Sequence, residues 1–472
     1  MSIERKLFGT DGVRWVVDRE PIDFALKLAY AISSYFPPGS RVLVGMDGRL
    51  GNAAIYGAIL SALAAGGSKV YDSGLLPTPA LQICVRDQGF DYGVMVTASH
   101  NPPEWVGLKV ILSDGIEAPP DVDKAIEDIM FMSKFRRIPW VNIKPIERYD
   151  ICLTHYIESI KKHVESEAIT RKKPRIVVDC ANSVSALTTP RVLKELGAKV
   201  ISINSDIGIP YRPYEPTPEN IQDLMDIVRS VKADVGIAHD GDGDRAVIVD
   251  ERGNFVAGDI SAVFLSNYVS RKHPELPKRV VTAISTSHFL MQKNVVEKGI
   301  EVYWTRVGFL NIARKIKELG GALSGFEDNG GFAYVPHQLV RDGSMVAALV
   351  AEMISVENRA ISSYVDEILK PVVIRTKMSI VSREEGMKIV EELKNMYKGY
   401  NTIDIDGIKV ITREFVFLVR PSGTEPLIRI TVEAWDREVA TKVLKELMTT
   451  IESIRGAKNE VQVIELHSLP IL

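Results

Sequence analysis

Val42-Leu43-Val44-Gly45-Met46-Asp47 is an apolar stretch typical of a buried β-strand, and it begins the pattern that decides the fold. A helix is predicted over about 52–65, and Gly67-Ser68-Lys69-Val70 then opens a second strand. The same order recurs twice, with strands and helices at 176–179 and about 185–196, and at 280–284 and about 287–298. Each unit is a strand, a helix that ends at a glycine, and another strand. Three such units predict three α/β domains of similar plan, with mixed sheets covered on both faces.

The pattern changes after Pro371, where shorter and more alternating segments begin. We predict strands at 372–380, 414–420 and 427–433, a hairpin over 402–411 around Asp406-Gly407, and helices at 383–397 and 436–455. This order predicts a smaller C-terminal α+β domain with an antiparallel sheet. We therefore expect four domains, at residues 1–150, 151–253, 254–370 and 371–472.

Composition excludes several classes of protein. The 472 residues are 46% apolar and 25% charged, and the net charge of −3 gives no general attraction to nucleic acid or to an anionic membrane. The N-terminus lacks an apolar segment of the kind that directs secretion. Cys84, Cys152 and Cys180 are odd in number and far apart, which predicts no disulfide framework and favours a reducing cytoplasm.

The serine loop, Thr97-Ala98-Ser99-His100-Asn101-Pro102, follows a predicted buried strand at 91–96. A serine at the carboxyl end of a strand is presented outward, and Pro102-Pro103 stiffens the turn. A free serine hydroxyl is a poor nucleophile and needs a base or a metal ion nearby. His100 could hold a proton near neutral pH. The alternative interpretation is a polar turn that caps a neighbouring element.

The aspartate loop, Asp240-Gly241-Asp242-Gly243-Asp244-Arg245, follows the predicted strand 235–239. Its alternation of carboxylates and glycines places three oxygen donors around one point if the backbone curls, which suits Mg²⁺. Two carboxylates ~4 Å apart repel by about 4 kcal/mol at an effective dielectric constant near 20, so the loop calls for a cation. An EF-hand is the alternative, but a predicted strand at 246–249 interrupts the spacing that an EF-hand requires.

Three further segments could bind anions or polar ligands. Phe8-Gly9-Thr10-Asp11-Gly12-Val13-Arg14 leaves Arg14 at a tight turn, although an exposed turn is the alternative. The arginine loop, residues 420–426, joins Arg420 to Ser422, Gly423 and Thr424, whose N–H groups can cradle a phosphate, and Arg429 follows on the next strand. A hairpin with a structural Arg–Glu pair is the alternative. The glycine loop, residues 325–331, and the segment 305–308 end two strands and could equally be plain turns.

These segments together resemble the α-D-phosphohexomutase superfamily, which includes phosphoglucomutases, phosphomannomutases and phosphoglucosamine mutases. The resemblance covers nearly the whole chain and implies four domains around a central cleft. It implies that the enzyme moves a phosphoryl group between the 1- and 6-positions of a hexose, through a phosphoserine and a bisphosphate. The implied cofactors are Mg²⁺ and an activating hexose 1,6-bisphosphate. The implied partner is a hexose phosphate, with no nucleic acid or membrane, and the implied enzyme is a cytoplasmic monomer or homodimer.

The resemblance also assigns residues. Ser99 matches the phosphoryl carrier, and it completes the metal site of Asp240, Asp242 and Asp244. Lys109 matches the general acid/base. The remaining implied residues either surround the phosphoserine (Arg14, His100, Arg245) or bind the substrate (Arg306, Gly308, Glu327, Asn329, Arg420, Ser422, Gly423, Thr424, Arg429).

Several residues depart from the family pattern. Gly48 stands where a larger residue is common, and Ser183 replaces a usual glycine. Gly331 stands where bacterial members often have a histidine, so we expect more room beside the sugar. We expect Glu327 and Asn329 to bind the 3- and 4-hydroxyls and to leave the 2-position weakly constrained, which predicts a broad enzyme active on glucose and mannose phosphates, with a phosphoglucosamine mutase as the alternative. Galactose phosphates, which are inverted at the 4-position, should be poor substrates. A metal-dependent phosphatase and a non-catalytic sugar-phosphate sensor are the rival functions.

Overall fold

The computed structural model describes residues 7–9, 11–20, 22–422 and 426–455, whose strands form four sheets. The first is a six-stranded mixed sheet in the order β1-β5-β4-β2-β3-β6, in which β4, β2, β3 and β6 are parallel. Its strands are β1 (Val13–Val16), β2 (Arg41–Met46), β3 (Lys69–Leu75), β4 (Tyr92–Val96), β5 (Trp105–Leu112) and β6 (Glu147–Arg148). Its helices are α1 (Ile22–Tyr35), α2 (Asn52–Ala65), α3 (Thr78–Asp87) and α4 (Pro120–Phe131).

The second sheet has five strands in the order β11-β10-β9-β7-β8, and β10 runs antiparallel to both of its neighbours. Its strands are β7 (Arg175–Asp179), β8 (Lys199–Ile203), β9 (Val235–His239), β10 (Ala246–Val249) and β11 (Phe255–Val256). Its helices are α5 (Cys152–Lys161), α6 (Ser166–Lys172), α7 (Thr189–Glu195) and α8 (Gln222–Val231). The strand that was predicted to exclude an EF-hand is β10.

The third sheet is mixed, in the order β13-β12-β14-β15. Its strands are β12 (Arg279–Ala283), β13 (Glu301–Thr305), β14 (Ser324–Phe326) and β15 (Phe332–Tyr334). Its helices are α9 (Gly258–Lys272), α10 (His288–Asn294), α11 (Phe309–Glu318), α12 (Gly343–Val356) and α13 (Ile361–Glu367).

The fourth sheet is wholly antiparallel, in the order β16-β20-β19-β18-β17. Its strands are β16 (Val372–Ser379), β17 (Asn401–Ile403), β18 (Ile408–Ile411), β19 (Phe415–Pro421) and β20 (Leu427–Ala434). Two helices, α14 (Arg383–Met396) and α15 (Arg437–Arg455), pack against it. Three α/β units and a smaller α+β unit confirm the predicted fold class.

Two predicted helices are shorter than expected. The segment near 185–196 divides into a 3-10 turn, Val184–Leu187, and α7, because Pro190 is confined to the first turn of a helix. The segment near 287–298 ends as an α-helix at Asn294, whose side chain donates to the backbone oxygens of Leu290 and Leu369. A polar side chain that bonds backbone in this way competes with helix continuation.

Helix α12 ties the second and third sheets together. It is apolar on every side and buried over almost its whole length, as expected for a core helix. It packs against α6, α7 and β10 of the second unit and against β15 of the third. The loops that leave these two sheets are therefore held at a fixed separation.

Cys84 of α3 and Cys152 of α5 form a disulfide, so the prediction of no disulfide was wrong. Spacing could not reveal this pair, because the two cysteines lie 68 residues apart and meet only when the two helices pack. Cys180 is a free, buried thiol. Among the residues that the structure describes, no helix is both long and apolar enough to cross a bilayer.

We predict that the disulfide contributes substantially to stability. Closing a loop of 68 residues corresponds to roughly 4 kcal/mol in the chain-entropy description. The double variant Cys84→Ala/Cys152→Ala should unfold at a clearly lower temperature than the Cys180→Ala control in thermal denaturation. Titration of three free thiols in the denatured, unreduced protein would contradict the pairing.

Candidate active site

The serine loop leaves β4 in a conformation that most residues avoid. Ser99 has φ of 50°, in the left-handed region, and its side chain is buried. Its backbone N–H donates to Thr97 Oγ1 at 2.8 Å, and the Thr97 hydroxyl donates to Asp47 Oδ2 at 2.6 Å. A strained turn persists only when its surroundings fix it, and these bonds aim the Ser99 hydroxyl at one point.

Arg49 holds the same loop from the other side. Its guanidinium donates to the backbone oxygens of Ser99 at 2.6 Å, Asn101 at 2.8 Å and Pro102 at 2.7 Å. Its Nε donates to Asp47 Oδ2 at 3.1 Å, so the charge is paired although the side chain is buried. This role of Arg49 was not predicted from the sequence. The available signal was the position of Asp47 at the end of a predicted strand and of Arg49 just beyond it.

The aspartate loop brings its three carboxylates to one place. The oxygen atoms of Asp240, Asp242 and Asp244 that could bind a metal lie within 4.8 Å of one another, and all three residues are buried. Ser99 Oγ donates to Asp240 Oδ2 at 3.0 Å, so the predicted serine and metal loops form one site. The glycine at 241 is required, because a Cβ there would lie 2.5 Å from the backbone oxygen of Ser99.

The bonds around these carboxylates fit a divalent cation. Asp242 Oδ2 accepts from Thr78 Oγ1 at 2.6 Å and from Lys109 Nζ at 2.9 Å. Asp244 Oδ2 accepts from Arg341 Nη2 at 2.7 Å and from Lys109 Nζ at 3.2 Å. In both residues the other oxygen, Oδ1, is buried and has no partner. Orphaned carboxylate oxygens that converge in a buried loop are suitable ligands for Mg²⁺.

The electrostatics of the cluster agree with this assignment. Burial, together with the nearby Asp244 and Asp242, raises the pKa of Asp240 well above its usual range. Burial alone would lower the pKa of Lys109, but the carboxylates of Asp11, Asp242 and Asp244 outweigh it and raise that pKa. The lysine is therefore a cation with a proton to donate.

His100 does not hold a proton near neutral pH, which corrects the expectation from sequence. Arg245 Nη2 donates to His100 Nδ1 at 2.9 Å, and the charge of Arg245, with burial and Arg14, lowers the pKa of His100 to about 2. His100 Nδ1 lies 3.4 Å from Ser99 Oγ. Arg14 donates to Asn101 Oδ1 at 2.5 Å and to Asp11 Oδ2 at 2.7 Å. The structure therefore places His100 against Ser99, and it places Arg245 and Arg14 against His100 and Asn101, the two residues that follow the serine.

A second part of the site is a cleft of about 380 Å³ between the third and fourth units. Four predicted substrate-binding residues line it, namely Glu327, Asn329, Arg420 and Arg429. Arg375 and Lys377 of β16 line it as well, and neither was predicted. Arginine and lysine side chains on one wall, facing a carboxylate and an amide on the other, suit a ligand with an anionic end and hydroxyl groups.

The remaining predicted substrate-binding residues either make hydrogen bonds within the protein or lie outside the described residues. Arg306 Nε donates to the backbone oxygen of Ile405 at 2.8 Å, whereas the Gly308 N–H donates to Glu327 Oε1 at 3.1 Å. Ser422 is buried, and its N–H donates to the backbone oxygen of Leu427 at 2.8 Å. Gly423 and Thr424 lie outside the residues that the structure describes.

The expectation that Gly331 leaves room beside a ligand was wrong. A Cβ at Gly331 would lie 2.5 Å from Cδ and 3.1 Å from Cγ of Arg341. The arginine side chain therefore occupies this space. Arg341 was not predicted from the sequence, because nothing in its surrounding segment, just before α12, indicates contact with the aspartate loop.

Two departures from the family pattern compensate each other. The Gly48 N–H donates to Ser183 Oγ at 3.1 Å, and a Cβ at Gly48 would lie 3.0 Å from that oxygen and 2.6 Å from Cγ2 of Ile207. A small residue at 48 therefore accompanies a larger one at 183.

Comparison with known proteins gives matches along most of the chain. Models of the phosphoglucomutase/phosphomannomutase alpha/beta/alpha domains I, II and III match residues 5–137, 154–253 and 257–372. The model of the C-terminal domain matches residues 379–450.

Individual proteins are similar over nearly their full length. A phosphoglucosamine/phosphogalactosamine mutase of Sulfurisphaera tokodaii is 41% identical over 456 residues, which are 95% of this chain and 99% of the relative. A phosphoglucomutase/phosphomannomutase of Thermococcus kodakarensis is 38% identical over 93% of this chain and 97% of its own. The crystal structure of a Burkholderia thailandensis phosphoglucomutase/phosphomannomutase family protein superposes with a TM-score of 0.84, at 23% identity, over 97% of this chain and 99% of that one.

We predict that the aspartate loop binds Mg²⁺ or Mn²⁺. Asp242→Asn should weaken Mn²⁺ binding at least about tenfold in calorimetric titration, since it removes a charge without changing the shape of the side chain. Asp250→Asn, which alters a buried carboxylate just after β10, is the matched control and should bind like the unmodified protein. Unchanged affinity in the Asp242 variant, or no binding by the unmodified protein, would contradict the assignment.

Proposed function

The chain belongs to the phosphoglucomutase/phosphomannomutase family and is a phosphohexomutase, and we propose that Ser99 carries the phosphoryl group that it moves. The observation that supports this role is the 3.0 Å contact between Ser99 Oγ and Asp240 Oδ2. It joins the one strained serine of the serine loop to the buried carboxylate cluster. A bound Mg²⁺ would be held by Asp240, Asp242, Asp244 and an oxygen on Ser99. Such a cation stabilises negative charge on a transferring phosphoryl group.

The first half-reaction uses phosphorylated Ser99. A hydroxyl of a hexose monophosphate attacks phosphorus, the bond between phosphorus and Ser99 Oγ breaks, and a hexose 1,6-bisphosphate forms. Lys109 is charged and contacts both Asp242 and Asp244, and we propose that it relays the proton. Its ammonium gives a proton to the departing Ser99 Oγ, and the neutral amine takes up the proton that the attacking hydroxyl releases. Arg245 contacts His100 and Arg14 contacts Asn101, the two residues that follow Ser99, so both arginines would offset the phosphoryl charge.

The second half-reaction reverses these roles. The sugar turns within the cleft, and Ser99 Oγ attacks the other phosphate, which restores phosphoserine and releases the isomeric monophosphate. A bisphosphate that escapes leaves the enzyme without its phosphoryl group. We therefore propose that hexose 1,6-bisphosphate activates the enzyme by phosphorylating Ser99 again.

The cleft between the third and fourth units would hold the part of the substrate that is not reacting. Arg420 and Arg429 line it and supply positive charge for the phosphate that is not being transferred. Glu327 and Asn329 line the opposite wall and would read the 3- and 4-hydroxyls of the sugar. A grip on the non-reacting end adds binding energy that positions the reacting end. A second anion site of this kind favours a mutase over a simple phosphatase.

We propose that the substrates are glucose and mannose phosphates, with glucosamine phosphate as the alternative. The 38% identical relative is named for the first pair, and the 41% identical relative for glucosamine and galactosamine. Because Arg341 fills the space at Gly331, breadth at the 2-position no longer follows from a missing side chain.

The compartment, the oligomeric state and the domain limits are further proposals. We propose a cytoplasmic monomer or homodimer, divided at residues 150, 253 and 370. The second sheet extends to β11 at Phe255–Val256, just beyond the second limit. A disulfide is compatible with the cytoplasm of organisms that live at high temperature.

We predict that Ser99 accepts one phosphoryl group. Intact-mass analysis after incubation with glucose 1,6-bisphosphate should show one added phosphoryl group, which Ser99→Ala should lack. A matched control is Ser61→Ala, on an exposed position of α2. Near-normal turnover by Ser99→Ala would refute the role, and steady release of inorganic phosphate without isomerisation would indicate the phosphatase.

We predict that Arg420 acts in binding more than in chemistry. Losing a charge-assisted hydrogen bond costs roughly 1.5–3 kcal/mol, so Arg420→Ala should raise KM for glucose 1-phosphate by about tenfold to over a hundredfold. At saturating bisphosphate, the final extent of Ser99 phosphorylation should not change. Arg413→Ala, at an exposed position of the same unit, should leave KM unaltered. Equal losses in both measurements would point to misfolding instead.

We predict that Glu327 recognises groups common to all accepted sugars. Glu327→Gln should lower kcat/KM for glucose, mannose and glucosamine phosphates by similar factors, because these sugars differ only at the 2-position. Galactose and galactosamine phosphates, which are inverted at the 4-position, should be poor substrates of the unmodified enzyme. A loss confined to one of the first three sugars, or efficient use of galactosamine phosphate, would show that this loop reads the sugar differently.

A further inference from the structure

Arg341 joins the two parts of the active site. It precedes α12 by two positions, and only 6% of the residue is exposed. Its Nη2 donates to Asp244 Oδ2 at 2.7 Å and contacts Asp11 Oδ2 at 3.3 Å. Its Nη1 lies 3.4 Å from Glu327 Oε2. One guanidinium therefore contacts carboxylates of the first, second and third units.

The path of this side chain depends on Gly331. A Cβ at that position would lie 2.5 Å from Arg341 Cδ and 3.2 Å from Asn329 Oδ1. Any side chain at 331 would therefore displace the arginine or the glycine loop. The aliphatic part of Arg341 passes beside Gly331, where a Cβ would stand in its way, and its guanidinium lies over the ring of Phe309 at 5.3 Å.

The glycine loop is also bonded to the backbone at the end of the aspartate loop. The N–H of Ala246, the residue that follows the aspartate loop, donates to the backbone oxygen of Gly330 at 3.2 Å. Within the glycine loop, the Glu327 N–H donates to the backbone oxygen of Gly331 at 2.9 Å. This fixes where the loops lie, but not how the carboxylates of Asp244 and Glu327 are turned. A planar guanidinium can hold two carboxylates in fixed orientations at once, which a lysine ammonium cannot do with the same geometry.

We propose that Arg341 is a positioning residue that orients Asp244 for the metal ion and Glu327 for the sugar, and that Gly331 is the residue that admits it. The proposal rests on the proposed function for the ligands of Asp244 and Glu327. Arg341 acts through these two carboxylates, so a disturbance of its position changes both binding steps together. An arginine that served only the stability of the fold would change neither binding step in a variant that still folds.

The test uses variants that keep every charge. Arg341→Lys retains the cation but loses the two-armed contact, and Gly331→Ala retains the arginine but displaces it. Arg314→Lys is the matched control for the first, because Arg314 joins the third unit to Asp114 of the first at 2.6 Å, outside the site. Gly57→Ala is the control for the second, since a Cβ there meets open space.

Dissociation constants for Mn²⁺ and for glucose 1-phosphate are measured by calorimetry on the full-length, dephosphorylated enzyme, with thermal unfolding to confirm the fold. We expect each site variant to weaken both ligands by about tenfold, as for other residues that orient metal ligands, while the controls bind like the unmodified enzyme. The double variant should be no weaker than either single variant, because both changes remove the same contact.

Unchanged binding of both ligands in either folded site variant would overturn the proposal. A change in the binding of only one ligand would also overturn it, since Arg341 would then orient one carboxylate alone. Additive losses in the double variant would show that Gly331 and Arg341 act independently, which would also overturn it. If one site variant fails to fold, the other still decides the matter. Absence of mutase turnover in the unmodified enzyme would refute the proposed function, whereas these two binding measurements test Arg341 without turnover.

Discussion

Repulsion among three buried carboxylates is the constraint on which the arrangement of this protein depends. Asp240, Asp242 and Asp244 converge within 4.8 Å, and charges so close are costly away from water. Arg245 of the same loop offsets part of this charge, and Lys109 of the first unit and Arg341 of the third supply the rest. The charges of the cluster are therefore balanced only when three units meet, and the same ion pairs favour their meeting.

Most of the fold could be predicted from sequence, because apolar strands and glycine-ended helices carry local signals. The aspartate loop and the serine loop were also predictable, since their chemistry is concentrated in a few consecutive residues. Even their contact, Ser99 with Asp240, was expected from the family resemblance. Local signals fail where a prolyl or asparaginyl side chain shortens a helix, as at Pro190 and Asn294.

The residues that could not be predicted act across long stretches of chain. Thr78 and Arg341 each hold one oxygen of an aspartate that lies 97 residues or more away, as the pairs Thr78–Asp242 and Arg341–Asp244 show. The Cys84–Cys152 disulfide depends in the same way on which helices pack together. The expectation for Gly331 was wrong for the same reason, because the space beside this glycine is filled by the side chain of Arg341, which is distant in sequence. His100 was misread because its pKa is set by Arg245.

The fixed bond between Ala246 and Gly330 has a consequence for the geometry of the ligand. This bond ties the glycine loop, which carries Glu327 and Asn329, to the residue that follows the aspartate loop. A pyranose has an approximate two-fold axis through the middle of its C3–C4 bond. Rotation about this axis exchanges the 3- and 4-hydroxyls and also exchanges the ends of the sugar that carry C1 and C6. With the proposed contacts, one pair of side chains recognises either orientation equally. The symmetry that an isomerase needs then resides in the sugar, and the protein can remain asymmetric.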